Sequence, residues 1–199
     1  LNALIAILSI AMISTTAAAQ DLQKGFDAYD AADYATALKE IRPLAEVGHA
    51  ISQRVIGIMY ERGQGVTQNY KEAAKWYRLA AEQGHATSQL RLARLYEEGL
   101  GVVQDSEEAK RLYLLGAEQG NAFGYRAIGG MYHFAKGFAE DYKEAAKWYR
   151  LAAEQEDAFA QALLGYMYEA GHGVLQDHKI AHMWYNIATA NGEKNSRTD

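Results

Sequence analysis

The sequence contains no cysteine, and this absence excludes disulfide bonds and all thiol chemistry. It contains one proline, Pro43, which falls inside a predicted helix and is expected to kink it. Basic residues are in the minority, with 20 Lys and Arg against 25 Asp and Glu and a formal net charge of −5. An acidic chain of this kind is not expected to bind nucleic acid.

Long hydrophobic runs are absent after residue 20, so no later segment is expected to cross a membrane. The first residues differ from the rest, because an apolar stretch from Leu1 to Ile13 leads into Ala17-Ala18-Ala19. This pattern is typical of a secretory signal peptide that is cleaved before Gln20. We therefore expect a signal peptide at 1–19 and a bacterial protein that is periplasmic or secreted. An uncleaved membrane anchor is the alternative.

The sequence does contain a repeat of 36 residues. The fourteen letters YKEAAKWYRLAAEQ occur at Tyr70–Gln83 and again at Tyr142–Gln155, and looser copies lie at Ser106–Gln119 and His178–Asn191. Repeats of this length form stacked arrays of small structural units. The frame that starts at Ala50 predicts a degenerate first hairpin at 20–49, repeats 1 to 4 at 50–85, 86–121, 122–157 and 158–193, and a tail at 194–199, with a capping helix in repeat 4.

The residue pattern of each repeat predicts a pair of helices, A and B. In helix A, apolar or small residues recur at positions 1, 7, 8 and 11 of the repeat, which share one helical face. A glycine loop such as Gly63–Val66 then ends helix A. In helix B, alanine and aromatic residues share one face, and charged residues lie elsewhere. Because helices this short are marginal alone, each hairpin must bury its apolar face against its neighbours.

The start of each helix B carries a capping pattern. An Asn or Asp precedes the helix, and in repeats 1 to 3 a Glu follows three residues later, as in Asn69 and Glu72. This spacing predicts an N-cap whose Glu bonds back to the capping residue. Gly84 is a predicted C-cap. In repeat 3, Ala135 and Glu156 replace loop and turn glycines, and we expect irregular turns there.

These columns resemble a known repeat. An opening Ala, an apolar-Gly pair, a Tyr, a GxGV loop, an Asp and then Ala, WY and AA closely resemble the Sel-one-like repeat (SLR) family, a branch of the tetratricopeptide-like solenoids. The resemblance covers roughly residues 25–193. It implies an all-α, right-handed α-α superhelical solenoid of about 4.5 helical hairpins. It also implies a non-enzymatic scaffold that brings cell-envelope or secreted proteins together.

Helix A lines the concave surface of tetratricopeptide-like solenoids, so the resemblance points to positions 2, 5, 6 and 9 of each repeat as a contact stripe. The stripe carries arginines and apolar residues and no acidic residue, a composition typical of interaction hot spots. The alternative is that the arginines merely lie along a wet groove. The stripe comprises Ile51, Arg54, Val55, Ile58, Thr87, Leu90, Arg91, Arg94, Phe123, Arg126, Ala127, Gly130, Phe159, Ala162, Leu163 and Tyr166.

We predict that this stripe binds an extended or helical peptide, or a protein, that is acidic or has an exposed C-terminus. Arginines would supply charge-assisted hydrogen bonds, and the apolar residues would supply contact area. The predicted partner-binding residues are Arg54, Ile58, Arg91, Arg94, Phe123, Arg126, Phe159 and Tyr166. Neither nucleic acid nor, after signal cleavage, a membrane is expected as partner.

No catalytic, metal or cofactor site is predicted. His172, His178 and His182 could meet near the C-terminus, but no carboxylate recurs beside them at a ligand spacing, so we expect surface or packing histidines. The tryptophans of one repeat column, Trp76 and Trp148 among them, are expected to pack between hairpins. Two other functions stay open: an envelope enzyme acting on β-lactams or peptidoglycan, and a self-associating structural array. A cysteine-rich branch of the family with penicillin-binding or β-lactamase assignments has a disulfide in each hairpin, and this chain lacks it.

Overall fold

The computed structural model describes the backbone of residues 21–195 and the side chains of residues 21–192. The predicted signal peptide at 1–19 lies outside the described residues. Within the described range all regular secondary structure is helical, as the repeat predicts. Residues 21–30 form α1, and the helices that follow are α2 (Tyr34–Glu46), α3 (Ala50–Arg62), α4 (Tyr70–Glu82), α5 (Ala86–Glu98), α6 (Ser106–Glu118), α7 (Phe123–His133), α8 (Tyr142–Glu154), α9 (Ala158–Ala170) and α10 (His178–Asn195).

The chain divides into two compact units, an N-terminal unit, Leu1–Ser88, and a C-terminal unit, Gln89–Asp199. In the N-terminal unit α2 packs on α3 and α3 on α4. In the C-terminal unit each helix from α6 to α10 packs on the next. Packing between sequence neighbours is the solenoid arrangement, in which α3, α5, α7 and α9 are the A helices and α4, α6, α8 and α10 the B helices.

Two expectations about single elements can be compared with these helices. The α2 helix contains Pro43 and continues to Glu46, and the expected kink at Pro43 stays a prediction. Among the described residues, no helix combines the length and the apolarity needed to cross a bilayer.

A buried tyrosine of helix B packs against a small residue of its own helix A. A Cβ atom added at Gly57 would lie 2.6 Å from the ring of Tyr77, and one added at Gly129 would lie 2.6 Å from the ring of Tyr149. Both tyrosines are fully buried. The small residues at these positions therefore let the two helix backbones approach each other.

The hydroxyl of the same tyrosine donates a hydrogen bond to a glutamate in the last turn of helix A. The hydroxyl oxygens of Tyr113 and Tyr185 each lie 2.7 Å from the carboxylate oxygen that accepts the bond. Burial, together with the neighbouring carboxylate, raises the pKa of Tyr185 to about 12 and also raises that of Tyr113. The pairs are Tyr77 with Glu61, Tyr113 with Glu97 and Tyr185 with Glu169.

Repeat 3 departs from this pairing, because His133 occupies the glutamate position. The hydroxyl of Tyr149 lies 3.3 Å from Nδ1 of His133, a longer contact than the hydrogen bonds to glutamate. Burial raises the pKa of Tyr149 to about 12. In the hairpin of repeat 3, the buried tyrosine hydroxyl therefore contacts a neutral, titratable side chain instead of a carboxylate.

A buried amide forms a second connection within the hairpins. Gln53 donates to the carbonyl oxygen of Ala45 in the preceding helix B at 3.1 Å, and it accepts from Gln83 in its own helix B at 2.8 Å. A single side chain therefore joins helix A to both flanking helices. In repeat 4 the corresponding residues are Gln161, Ala153 and Asn191.

Each helix B begins at the predicted Asn or Asp, whose side chain accepts from the N–H three residues later. The prediction that the Glu side chain bonds back to the N–H of the capping residue is wrong. Glu72 is paired with Lys75 instead, because the N–H of Asn69 donates to the carbonyl oxygen of Tyr60 at 2.8 Å. This bond closes the loop between helices A and B. Its equivalents join Asp105 to Tyr96, Asp141 to Tyr132 and Asp177 to Tyr168.

The turns of repeat 3 keep the backbone shape that glycine has elsewhere. Ala135 has φ 54° and Glu156 has φ 61°, and Gly63 and Gly171 have φ 68° and 74° at positions equivalent to Ala135. A residue with a Cβ costs about 1–2 kcal/mol in this left-handed region. The irregular turns expected in repeat 3 are therefore not seen in the φ angles of these two residues, although α7 covers 11 residues whereas α3 and α9 cover 13.

Replacing Tyr113 by Phe removes the hydrogen bond to Glu97 and leaves the buried ring in place. Because the acceptor is a carboxylate whose side chain is only 11% exposed, we expect the free energy of unfolding to fall by about 1.5–3 kcal/mol. Tyr149→Phe is the matched control, since its partner is a histidine nitrogen, and it should cost about 1 kcal/mol or less. Denaturant titration measures both, and equal losses would contradict this assignment.

Candidate functional site

The predicted contact stripe lies only partly on the surface. Val55, Ile58 and Leu90 are 4%, 5% and 6% exposed, so the prediction that packing leaves these positions free is wrong for them. Val55 shares a buried cluster with Ala37 and Ile41 of α2. Helix A thus buries side chains against the preceding helix B as well as its own, and its buried face is wider than one stripe.

All four predicted arginines have interactions within the folded chain. Arg54 is half-buried and lies near His85, whose pKa it lowers together with the larger effect of burial. Arg91 and Arg94 are also half-buried and have interaction partners of their own. Ile51, in the N-terminal unit, remains 42% exposed. Arg54, Arg91 and Arg94 therefore already interact with other groups of the chain.

The fourth arginine, Arg126 of α7, lies against two phenylalanine rings in the C-terminal unit. Its guanidinium carbon is 5.0 Å from the centre of the Phe123 ring and 5.1 Å from the centre of the Phe159 ring. Its Nε is 3.1 Å from one carboxylate oxygen of Asp157 and donates to the other at 3.2 Å. Asp157 is the N-cap of α9 and accepts from the N–H of Ala160. The guanidinium is therefore held in both position and direction.

The rings around Arg126 are open to solvent. Phe159 is 73% exposed and Phe123 is 37% exposed, and Tyr166 farther along α9 is 43% exposed. A groove of ≈ 640 Å³ adjoins them in the C-terminal unit. It offers aromatic surface, a fixed cation and a lining of small residues that leaves depth for a side chain. The lining residues are Arg126, Asp157, Ala158, Phe159, Ala162, Ala188, Thr189 and Gly192.

Tyr166 also borders a cluster of aromatic rings that contains two histidines. Its ring is nearly parallel to that of His133 at 6.2 Å and edge-on to that of His172 at 5.6 Å. His172 stacks on Tyr142 at 4.5 Å. Burial lowers the pKa of His133, His172 lowers it further, and Glu140 opposes the shift. The ring of Tyr166 therefore lies beside that of His133, an imidazole whose protonation the fold disfavours.

The pKa of His133 predicts how stability changes with pH. Protonation is disfavoured in the folded state, so the unfolded chain binds more protons once the pH falls below the ordinary histidine pKa of about 6.5. This histidine therefore has no effect on stability well above that pH and destabilises the fold below it. His133→Gln keeps an acceptor for the hydroxyl of Tyr149 and removes the titration.

We expect the free energy of unfolding to fall less between about pH 7 and about pH 5 in His133→Gln than in the unsubstituted protein. Chemical denaturation at each pH measures the difference. His178→Gln, at an exposed position of α10, is the control and should keep the original pH dependence. The same dependence in His133→Gln would contradict the assignment.

The three C-terminal histidines do not form one site. His172 lies against Tyr142, whereas His178 and His182 are exposed along α10. Within the part of the chain that the structure describes, no group of three or more His, Cys, Asp or Glu residues is placed to hold a metal ion. His178 and His182 instead line a shallow surface depression on α10 with Met183.

The tryptophans pack against helices; the predicted packing between hairpins is confirmed for Trp184, whose cluster includes α8 of the preceding hairpin, whereas the ring contact of Trp148 lies within its own hairpin. Trp76 packs on the buried cluster of the N-terminal unit, and Trp184 packs on the cluster formed by α8 and α9. Trp148 stacks on Tyr125 of α7 at 6.1 Å and donates its Nε1–H to Glu144 at 3.1 Å. Each tryptophan is only partly exposed, and its ring contributes to the fold of its own unit.

The repeated hairpins match a known family. A family model described as the Sel1 repeat matches residues 50–85, 86–121, 122–157 and 158–193. The chain belongs to the Sel1 repeat family. The all-α solenoid of 36-residue repeats that the sequence predicts is confirmed for this Sel1 repeat protein. No curated protein matches the sequence significantly.

Solved structures show the same fold. A Sel1 repeat protein from Oxalobacter formigenes is 33% identical, with a TM-score of 0.77 over 86% of this chain and 70% of that one. A protective antigen of uropathogenic Escherichia coli strains, which displays an SLR fold, is 35% identical with a TM-score of 0.80 over 88% of this chain. This chain spans 38% of that antigen. A sel1 repeat protein from Klebsiella pneumoniae, at 17% identity and a TM-score of 0.57, shares the fold.

The family also bears on the class of function. Sel1 repeat proteins generally mediate protein–protein interactions, and the family typically consists of non-enzymatic scaffolds. The surface of the C-terminal unit around Arg126 has the composition that such contacts use, namely arginine with exposed aromatic rings.

Two residues of this surface were missed in the sequence, although each leaves a signal there. Asp157 occupies the last position of its repeat, where His85 and Asn121 stand in repeats 1 and 2. His133 occupies the helix A position that holds Glu97 in repeat 2. His133 is an exception in a column that otherwise holds glutamate, whereas the position of Asp157 holds a different residue in each of repeats 1 to 3.

Proposed function

We propose that this Sel1 repeat protein is a non-enzymatic scaffold that binds a protein or peptide partner on the helix A surface of its C-terminal unit. The surface is formed by Phe123, Arg126, Phe159 and Tyr166, and we call it the Phe–Arg–Phe face. The observation that carries the proposal is the exposure of 73% of the Phe159 side chain beside a guanidinium that the fold holds still. Large exposed apolar groups next to a fixed polar group are typical of interaction sites.

The packing of the fold supports this location. The exposed aromatic residues of this face, Phe123, Phe159 and Tyr166, are on A helices, whereas the tyrosines that hold the hairpins together, such as Tyr113 and Tyr149, are buried. A partner can therefore cover Phe123 and Phe159 without disturbing the contacts that hold the hairpins together.

We further propose that the protein acts outside the cytoplasm, in the periplasm or after secretion. The support is the sequence of residues 1–19, an apolar stretch followed by small residues. Cell fractionation with mass spectrometry of the N-terminus should recover a chain that begins at Gln20 outside the cytoplasm. A cytoplasmic chain that retains residues 1–19 would contradict this location.

A photo-reactive amino acid tests the Phe–Arg–Phe face directly. Placed at Phe159 or Tyr166, it should cross-link to the same partner protein when the producing cells are irradiated, because a bound partner covers both positions. The control position is Leu175, which is 90% exposed in the loop before α10 and lies outside this face. Products that form equally well from Leu175 would contradict the proposal, as would the absence of products from Phe159 and Tyr166.

A further inference from the structure

Arg126 makes only part of the hydrogen bonds that its side chain can donate. A guanidinium carries five N–H donors, one on Nε and four on the two Nη atoms. Within residues 21–192, Nε is bonded to Asp157, and the remaining contacts of the group are with the faces of Phe123 and Phe159. The four Nη donors are therefore available on a side chain that lines the groove.

The fold has already restricted the motion of this side chain. An arginine loses conformational entropy when a ligand immobilises it, and prior immobilisation reduces that loss on binding. Here two ring contacts and an ion pair hold the guanidinium, and the side chain of Arg126 is 27% exposed. Nη groups in this arrangement suit a planar acceptor with two oxygen atoms, which is the geometry of a carboxylate.

The ion pair with Asp157 does not cancel this preference. Asp157 bonds to the Nε edge, which leaves the Nη edge to a second acceptor, and its carboxylate also accepts the N–H of Ala160 at the start of α9. The positive end of the α9 dipole therefore shares the charge of Asp157. A carboxylate bound at the Nη edge would contact the guanidinium directly, and the guanidinium would lie between that carboxylate and Asp157.

The surroundings of Arg126 indicate how the carboxylate is presented. Two exposed aromatic rings lie against the guanidinium, those of Phe123 and Phe159, with their centres 5.0 and 5.1 Å from its carbon. The adjoining groove is lined by small residues such as Ala162 and Ala188, which leave room for a side chain. An acidic residue with an apolar neighbour on each side fits this arrangement, whereas a chain terminus has a neighbour on one side only.

We propose that Arg126 and the rings that flank it form a binding site for an internal acidic residue, Asp or Glu, between two large apolar residues of a partner peptide. This inference rests on the proposed function and names the chemistry that the Phe–Arg–Phe face recognises. It narrows the predicted acidic recognition from four arginines to one, and it assigns to Asp157 the opposing role of moderating the charge of Arg126.

The test uses three synthetic peptides and the isotope-labelled protein, with NMR titration to measure Kd. The first peptide is acetyl-Gly-Ser-Leu-Glu-Leu-Ser-Gly-amide, and the second has Gln in place of Glu. The third, acetyl-Gly-Ser-Leu-Gln-Leu, has its only carboxylate at the C-terminus. We expect the Glu peptide to bind about tenfold more tightly than either of the others, since only it places a carboxylate between two leucines.

Two substitutions should change this preference in opposite directions. Arg126→Gln should abolish the difference between the Glu and Gln peptides. Asp157→Asn keeps a residue that caps helices well, so α9 should still form. It removes the competing charge, and the Glu peptide should then bind several-fold more tightly, with the Gln peptide unchanged. Arg150→Gln, at an exposed arginine of helix B, is the control and should leave all three values as they are.

The possible outcomes separate this inference from the proposed function. Equal Kd values for the Glu and Gln peptides would overturn the acidic site, and so would tighter binding of the C-terminal carboxylate peptide. If Phe159→Ser then weakens both equally bound peptides, the face still binds peptides and only the acidic site is wrong. Failure of all three peptides to bind also contradicts the inference, and cross-linking at Phe159 then tests the proposed function independently.

Discussion

The close approach between a helix B tyrosine and a small residue of helix A sets the geometry of the hairpins. Where Tyr149 packs against Gly129 there is no room for a further atom, so the two helix axes are held near each other. This distance places the tyrosine hydroxyl at the end of helix A, where Glu97 accepts it in repeat 2. It also lets the loop close through a backbone bond to the cap residue, as from Asn69 to Tyr60. The tyrosine–glutamate hydrogen bond and the backbone bond that closes the loop therefore both depend on the close packing of the tyrosine against the small residue.

The same packing decides which surface is left for function. Helix A lies between two B helices, so even positions such as Val55 and Ile58 become buried. Only a narrow strip of helix A stays exposed, and in the C-terminal unit Phe159 and Arg126 occupy it. The residues that build the candidate site stand at positions that vary between repeats, as Asp157 does where His85 and Asn121 stand in repeats 1 and 2. The regular positions form the scaffold, and the variable positions provide the recognition chemistry.

The sequence predicted the helices well because their signals are local or strictly periodic. The N-cap at Asn69 depends on atoms three residues apart, and the helix B faces follow from a pattern repeated every 36 residues. The reciprocal bond from Glu72 was predicted wrongly because the cap N–H is used by a carbonyl oxygen nine residues away across the loop. Burial of Ile58 could not be inferred from one helix, since it depends on how many neighbours that helix has.

The candidate site was harder to predict for a similar reason. The ion pair between Arg126 and Asp157 joins residues 31 positions apart, and it requires α7 and the start of α9 to lie side by side. The four arginines look equivalent in the sequence, and only tertiary packing shows that Arg126 is paired with Asp157 and lies against two exposed rings. The composition of the stripe therefore indicated a binding surface, but the sequence did not show which arginine contributes to it.

The most direct test of the account compares two neighbouring glycines of α7. A Cβ at Gly129 would lie 2.6 Å from the Tyr149 ring, whereas a Cβ at Gly130 would have no neighbour closer than 3.9 Å. Gly129→Ala should lower the free energy of unfolding by about 1–3 kcal/mol, because the packed ring must shift. Gly130→Ala should leave it unchanged or raise it by up to about 1 kcal/mol, because alanine favours the helix. Denaturant titration of both variants is the measurement, and a Gly129→Ala protein as stable as Gly130→Ala would contradict the claim that this contact sets the hairpin.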